Sequence, residues 1–483
     1  MIISVILFLA APGVLVGLLC GSVFLASEAA RREHLRSRFL LSGAAVTVTG
    51  LVPVAVLAWS THEDNTYYDS LWSLLRAVAA IIGGSLILAG LGPFIPWLLD
   101  ILRRRTARLS PVVRLAARDV ALGGHRTAAP IAVTMVLTAC AVVVTSVAVA
   151  QSAQGRAWYV PQARHGALLV ELVYADAAVV RAALQREVPA DSVVQRDNPT
   201  HWGHFGLDVE GVRLPDVEDV APAGFIGDQA LLRYLTGNAA TPYDEGTAVV
   251  VTPHDIDVDT VTIRYSLPTD DDDAADRTKS LPATVVKSPD RQVNEVFIPT
   301  TVIRDLGLAP EADSLIVDPS RHRTTAAEQE RIERRLVDGA YTFLELGYQA
   351  PAAWMGGVAV AVAVALGGAL VAGGRAGTGT RSGRTLLRAG GGSAATLRWF
   401  AAGRAGWSAL CGVVPGAVAG CGIGWLLAWP MTTPNDEDDI LLRVSFGTPW
   451  WVIAALAIGL PVLAGLIAAL PKPPAPHSPG SIT

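Results

Sequence analysis

From Ala128 to Ala150 the chain runs without a single charged residue. Coiled as an α-helix, such a stretch is about 30 Å long or more, enough to cross the hydrocarbon core of a bilayer. No backbone polar group can be left unpaired there, so the stretch must be helical. Just ahead of it lies Pro111–Leu122, a short segment in which Val112, Val113, Ala116 and Val120 share one helical face while Arg114 and Arg118 stand opposite. Gly123 and Gly124 break that pattern before the apolar run begins. The reading is a basic helix on the membrane surface, carrying Arg114, Arg118 and Arg126, that leads into a span.

Six further apolar runs repeat the signal, giving seven predicted spans: Ile2–Leu25, Leu41–Trp59, Trp72–Leu99, Ala128–Ala150, Ala352–Ala372, Ala405–Trp429 and Trp451–Leu470. The first has an apolar core but no basic leader, and Leu19 precedes Cys20 where a lipoprotein signal needs a small residue. It is therefore read as an uncleaved span. With 51% hydrophobic and only 17% charged residues, the chain is too apolar for a soluble protein. Basic patches interleaved with aromatics are missing, which argues against nucleic acid as a partner.

Charge is segregated along the chain. Between Ser152 and Ala350 there are 18 Lys/Arg against 32 Asp/Glu, so the remainder is basic. Arginines crowd three connections: Arg31, Arg32, Arg36 and Arg38; Arg103 through Arg126; and Arg375 through Arg398. Two short connections are acidic, at Glu63–Asp69 and Asp436–Asp439. The positive-inside rule then places the arginine loops and the Pro-rich tail inside, and the N-terminus, the acidic loops and residues 152–350 outside. Spans one to three and five to seven share the same order of basic inner loop and acidic outer loop, a parallel repeat of a three-span unit. Glycines recur every fourth residue at Gly13, Gly17 and Gly21, and again at Gly412, Gly416, Gly420 and Gly424, a spacing that lets helix backbones approach closely.

The acidic segment reads as a mixed α+β domain. Strands are expected at Ala167–Val173, Ala248–Val251, Thr260–Tyr265, Thr284–Lys287, Glu295–Ile298 and Ser314–Val317, with a helix at Ala177–Glu187. Thr325 and Glu328 have the spacing of a capping box that opens a helix to Asp338. Thr269–Asp273 with Asp276 is a solvated loop without the ligand spacing of a calcium site. The fold class is thus a seven-span all-α membrane bundle with an extracytoplasmic α+β domain inserted between spans four and five. Its parts are a three-span unit over residues 1–100, a cytoplasmic linker helix over 101–127, span four over 128–151, the outer domain over 152–350, a second three-span unit over 351–470 and the tail over 471–483.

Reactive chemistry is sparse. Cys20, Cys140, Cys411 and Cys421 all lie in apolar runs, so no disulfide staples the outer domain. His62–Glu63 lacks the second histidine of a zinc-protease helix, and His201 with His204 lacks a third ligand. Gly377–Thr385 imitates a phosphate loop, but its glycine spacing is too long and Arg384 stands where lysine belongs. Five spans lack internal Asp, Glu, Lys and His, which argues against an ion-coupled transporter. No catalytic residue, cofactor or metal site is expected, and the chain is not read as an enzyme.

Five stretches resemble a known family. RLAARDVALGGHRTAAP ahead of span four, the loops ARREHLRSRFLLSGA and RTLLRAGGGSAATLRW, and the outer segments GDQALLRYLTG and VFIPTTVIRDLGL are similar to those of FtsX-like (MacB-type) permeases of ABC transporters. That resemblance implies a separate cytoplasmic ATPase as partner, with ATP bound there and not on this chain. It also implies that Arg31, Arg32, Glu33, Arg36 and Arg38 in one loop, and Thr385, Leu387, Arg388 and Leu397 in the other, contact the ATPase. The alternative for these arginines is that they set orientation and meet lipid phosphates. A complete family unit has four spans and an outer domain. The first unit here lacks its lead-in helix, one span and that domain, whether by natural reduction or because the start lies further upstream. The expected function is a permease subunit of a bacterial cell membrane that transmits ATP-driven movement to its outer domain, for export or for control of an envelope protein. A second copy or an extracytoplasmic envelope protein are further expected partners. The alternative from a different class is a membrane-anchored sensor or scaffold whose outer domain binds an envelope protein, peptide or antibiotic.

Overall fold

The computed structural model describes residues 17, 20–32, 35–62, 70–105, 114, 118, 120, 125–159, 161–199, 206–208, 223–265, 277–288, 294–375, 394–432 and 444–470. The chain divides into two compact units, one formed by Tyr159–Gln349 and the other by the residues on either side of it.

The flanking unit is helical. A helix over residues 20–31 is followed by α1 (Arg36–His62), α2 (Ser70–Leu91), α3 (Phe94–Arg105), α4 (His125–Trp158), α9 (Ala353–Arg375), α10 (Ala394–Ala428) and α11 (Trp450–Ala469). Five of these are long and apolar enough to cross a membrane, or six if the bent pair α2–α3 is one span. The protein is therefore a membrane protein with a mixed α+β unit. The first predicted span lies largely outside the described residues.

The third predicted span is not one straight helix. It breaks between Leu91 and Phe94, and the two pieces differ in direction by 45°. Gly92 and Pro93 fill the break. Proline has no N–H to donate to the turn before it and disfavours helical geometry in the residue ahead of it, so the ladder stops there. Beyond the break, Ile95 and Leu99 turn into a cluster with Ala26, Val120, Ala128 and Ile131.

Helix α4 is the centre of this unit. Of the residues in its most apolar window 72% are buried, against 17% for α1 and 11% for α9. It is also longer than its hydropathy predicts, with 34 residues. That corresponds to about 51 Å, roughly 20 Å more than the hydrocarbon core requires. Its last turns, Ser152–Trp158, are residues that the sequence assigns to the outer domain.

The second unit is built on one sheet of ten described strands: β1 (Leu168–Leu172), β2 (Val193–Pro199), β3 (Gly206–Asp208), β4 (Ala223–Gly227), β5 (Ala248–Thr252), β6 (Thr260–Tyr265), β7 (Arg277–Lys287), β8 (Glu295–Pro299), β9 (Pro310–Val317) and β10 (Ala340–Leu344). Their order is β10-β1-β9-β2-β4-β8-β5-β7-β6-β3. With the short helices α5 (Ala177–Leu184) and α8 (Ala326–Glu333), the strands β1, β2, β9 and β10 form a split βαβ arrangement with every neighbour antiparallel. Strands β3–β8 are an insertion between its halves, with parallel pairs at β4–β8 and β5–β7. The helices α6 (Gln229–Thr236) and α7 (Thr300–Asp305) belong to this insertion.

Strand alternation sorts the core into layers. Leu168, Val170, Leu315 and Val317 meet Val180 and Leu184 of α5 and Ile332 of α8. The residues between them, Leu169 and Ile316, point the other way and meet Leu231, Leu232 and Leu235 of α6. In the insertion Val250 and Val296 pack on Val302 and Ile303 of α7, while Val249 and Phe297 join the α6 layer. The short helices start where a side chain caps them. Asp176 accepts from Ala178 N at 2.7 Å, and Asp228 accepts from Ala230 N at 2.9 Å. Thr325 and Glu328 form the predicted capping box, although the helix ends at Glu333 and not Asp338. Strands β2, β3, β4 and β10 were not expected from the sequence. The loop Thr269–Asp273 with Asp276 lies outside the described residues.

Candidate functional site

The residues expected to meet an ATPase begin in a tight turn. Arg31 ends the helix over 20–31 and is exposed, and Arg32 follows it, paired with Glu28 at 2.6 Å one turn back. Leu35 N closes the turn on Arg32 O at 3.0 Å. Arg36 is the first residue of α1, its side chain outside the description, and Arg38 is exposed. Leu397 lies in the first turn of α10, its side chain likewise not described. Glu33, Thr385, Leu387 and Arg388 fall outside the described residues, as do Gly377–Thr385 as a loop, Glu63, His201 and His204. Of the surface segment ahead of α4, Val120 is buried against Ala128 and Ile131, Arg118 is exposed and Arg114 is half-buried. Thr127 ties this segment to α4 by donating to Val120 O at 3.1 Å. Arg126 is in the first turn of α4.

The glycines of α10 sit on α4. A Cβ added to Gly412 would stand 2.8 Å from Thr134 Cβ, and one on Gly416 would strike Met135 O. At Gly420 it would meet Ala139 O and Val142 Cβ, both at 2.8 Å, and at Gly424 Ser146 Cβ at 2.8 Å. Four glycines one turn apart thus interlock with successive turns of α4 (Thr134, Thr138, Val142, Ser146). Gly17 and Gly21 meet no neighbour within 4 Å among the described residues, and Gly13 lies outside them. A second seam joins α1 to α2, which the sequence reading missed. Gly43 faces Gly90 O at 2.7 Å and Gly50 faces Gly83 O. The signal was present in the seven-residue spacing of both glycine pairs.

Two hydroxyls along these seams are answered by backbone carbonyls, whereas those of Thr138 and Ser146 on α4 are buried without a hydrogen-bond partner among the described residues. The Thr134 hydroxyl donates to Pro130 O at 3.0 Å and reaches Ala365 O of α9 at 3.4 Å. Ser408 donates to Ala405 O at 2.9 Å and reaches Ala369 O, also of α9, at 3.4 Å. Arg404, one residue ahead of the predicted span Ala405–Trp429, lies within α10 and is only 4% exposed.

Past the apolar window α4 keeps its contacts. Gln154, buried, accepts from Val444 N at 3.1 Å, and Gln151 donates to Met431 O at 3.3 Å. Trp429 and Phe446 close the same loop with ring centroids 4.9 Å apart. The last turns of α4 are therefore fastened to the connection between α10 and α11.

Tyr159, the residue after α4, opens the second unit with a buried polar cluster. The Glu345 carboxylate, in a residue 1% exposed, accepts from the Tyr159 hydroxyl, from Gly347 N at 2.7 Å and from Gln162 N at 3.1 Å. Gly166 and Gly347 lie at φ +86° and +75°, a region that suits glycine, and bend the incoming and outgoing chains around this carboxylate. Burial and the bond to Glu345 push the Tyr159 phenol up to about 12. Next to it, Arg164 N donates to the Tyr234 hydroxyl at 2.8 Å and the Arg164 guanidinium to Tyr234 O at 2.9 Å. Sequence reasoning missed this cluster, because Tyr159 and Glu345 are 186 residues apart.

Among the described residues no group of three or more His, Cys, Asp or Glu side chains is placed to hold a metal ion. The features the described residues offer are close helix seams, a buried central helix longer than a hydrocarbon core requires, and a polar cluster around Glu345 in the sheet unit. No family model matches the chain, and a search of curated proteins finds no match.

Proposed function

We infer that this chain is the non-enzymatic permease subunit of an ABC transporter of the FtsX/MacB type. In this reading a separate cytoplasmic ATPase binds and hydrolyses ATP, closes on the arginine-rich inner loops, and moves rigid spans that act on the outer domain. The observation that carries the reading is α4. Most of its apolar window is buried, it is fastened again beyond that window, and it ends at the residue before the sheet unit begins. A helix so held transmits displacement, because a packed interior repacks in discrete steps and does not compress. The charge pattern and the five family-like stretches support the partner.

The same reading assigns seven spans in the cell membrane of a bacterium, with the N-terminus and the sheet unit outside and the C-terminus inside. Exposed tryptophans near helix ends agree with interfacial anchoring: Trp59 on α1, Trp399 and Trp425 on α10, and Trp450 and Trp451 on α11. Export of a lipid, lipoprotein or peptide, and mechanical control of an envelope protein, are both uses of this one device.

The test is association. The expected outcome is that the chain co-purifies with an ABC-type ATPase and raises its ATP hydrolysis in liposomes, and that reversing Arg36→Glu together with Arg388→Glu abolishes both. An ATPase complex that survives the double reversal would show that these loops are not the contact.

A further inference from the structure

The cluster around Glu345 sits where the sheet unit's two covalent connections meet. Tyr159 and Gln162 belong to the incoming chain and Gly347 to the outgoing chain, and all three donate to one carboxylate. The main chains are zipped beside it. Gly166 N donates to Glu345 O at 2.6 Å and Glu345 N to Ala167 O at 2.9 Å, which continues the β1–β10 ladder past its last paired residues, Leu168 and Leu344. The rings of Tyr159 and Tyr348 meet edge to face with centroids 6.0 Å apart, one from each connection. A neutral side chain would suffice to fill space here. A buried carboxylate is costly unless its hydrogen bonds are complete, and bonds to an ionised acceptor are stronger than neutral ones. The choice of residue thus makes this spot hard to open.

We propose that the Tyr159–Glu345 clasp locks the chain entering the sheet unit to the chain leaving it, so that a displacement of either connection is shared by the other. Without it the residues between Trp158 and β1, and between β10 and Ala353, would take up the displacement as slack. The proposal deepens the transmission reading above, but the clasp itself exists whether or not an ATPase drives the chain.

The experiment uses the full chain in lipid nanodiscs, with Cys20, Cys140, Cys411 and Cys421 replaced by alanine. Spin labels at Arg156→Cys and Ala353→Cys, both exposed positions, report the distance between the outer ends of α4 and α9. Hydrogen exchange reports the amides of Gln162 and Gly347. Tyr159→Phe removes one hydroxyl and Glu345→Gln removes the charge. Each is expected to broaden the distance distribution about twofold and to speed exchange at the two amides roughly tenfold, with the central strands unchanged. The double variant is expected to go no further than Glu345→Gln alone, because both changes open one joint. Tyr348→Phe, which keeps the ring contact, leaves both readouts as they were. Should Glu345→Gln not fold, Tyr159→Phe decides alone. Distances and exchange unchanged in the single variants overturn the clasp and leave the transporter reading standing. Absence of any associating ATPase, with the clasp loosening as described, overturns the transporter reading and leaves the clasp.

Discussion

At Gly420 a hydrogen atom occupies a place where any other side chain would meet Ala139 O and Val142 Cβ at 2.8 Å. The neighbours are a helix backbone and a β-branched side chain on the most buried helix of the unit, so neither yields cheaply. Two residues on, a Cβ at Gly422 meets nothing within 4 Å among the described residues. The pair makes a matched test of the α4–α10 seam. Gly420→Leu is expected to destabilise the solubilised protein by about 1–3 kcal/mol, the usual cost of overpacking a well-filled contact. Gly422→Leu, on the open face of the same helix, is expected to stay within about 0.5 kcal/mol. Thermal unfolding in one detergent measures both, and equal shifts for the two variants would show that the four-residue spacing carries no packing. The spacing of the α10 glycines was legible because close helix approach demands a strict period. The Glu345 cluster was not legible, because its donors come from both ends of a long insertion and two of them are backbone N–H groups, which leave no mark on sequence.

Between elements, Glu187 ties two helices of the sheet unit together. It follows α5 and accepts from Arg331 of α8 at 3.0 Å and from Arg335, just past α8, at 2.9 Å. The Arg331 hydrogen bond, helped by both guanidinium charges, holds the Glu187 carboxyl below the ordinary glutamate value of 4.5. Glu328 is lowered too, chiefly by the backbone N–H of Thr325 in the capping box. A carboxyl with a lowered folded pKa stabilises the fold above its unfolded value, and that contribution fades as pH falls from there through the folded value. The tie between α5 and α8 is therefore expected to hold at neutral pH and to loosen on acidification below 4.5. Amide exchange across α8 reads this. Glu187→Gln should exchange faster than the parent at neutral pH, and the difference should shrink as the pH drops below that value. A difference that persisted unchanged in acid would mean that the carboxylate charge does not hold α5 to α8.

The same scale shows what the sequence could and could not give. Strands rich in β-branched residues, such as Ala248–Thr252 and Thr260–Tyr265, were found almost to the residue, because the first is a fully buried apolar run and the second is β-branched at four of six positions around a buried middle. Strand β2 reads VVQRDNP and β4 reads AGFIG. The first is polar along most of its length and the second is bounded by glycines, so neither has the pattern of a buried strand. Tertiary contacts make them strands: Arg196 of β2 pairs with Asp313 of β9 at 2.6 Å and lies over the Phe225 ring of β4. Helix lengths erred in the other direction. The predicted span four ends where polarity begins, whereas α4 continues to Trp158, with Gln151 and Gln154 bonded to the connection between α10 and α11.

For the whole molecule the charge asymmetry is the quantity that must be explained. Residues 152–350 hold the excess of acid and the remainder the excess of base, a division that a bilayer enforces and a soluble fold has no reason to keep. If the sheet unit is outside, Asp244 is outside with it, exposed on the loop that leads to β5. Arg31, exposed at the end of the helix over 20–31, is then inside. In a chain freed of its four cysteines, a membrane-impermeant thiol reagent applied to intact cells is expected to label Asp244→Cys and to spare Arg31→Cys. Permeabilised cells should label both. The reverse pattern would invert the protein and remove the ground for an ATPase at the arginine loops, because nucleotide is supplied from the cytoplasm. Labelling of both positions in intact cells would place an even number of crossings between them. Helices α1, α2 with α3, and α4 make three crossings only if the bent pair counts as one, so this result would also decide that the 45° break between Leu91 and Phe94 turns the chain back without a full crossing.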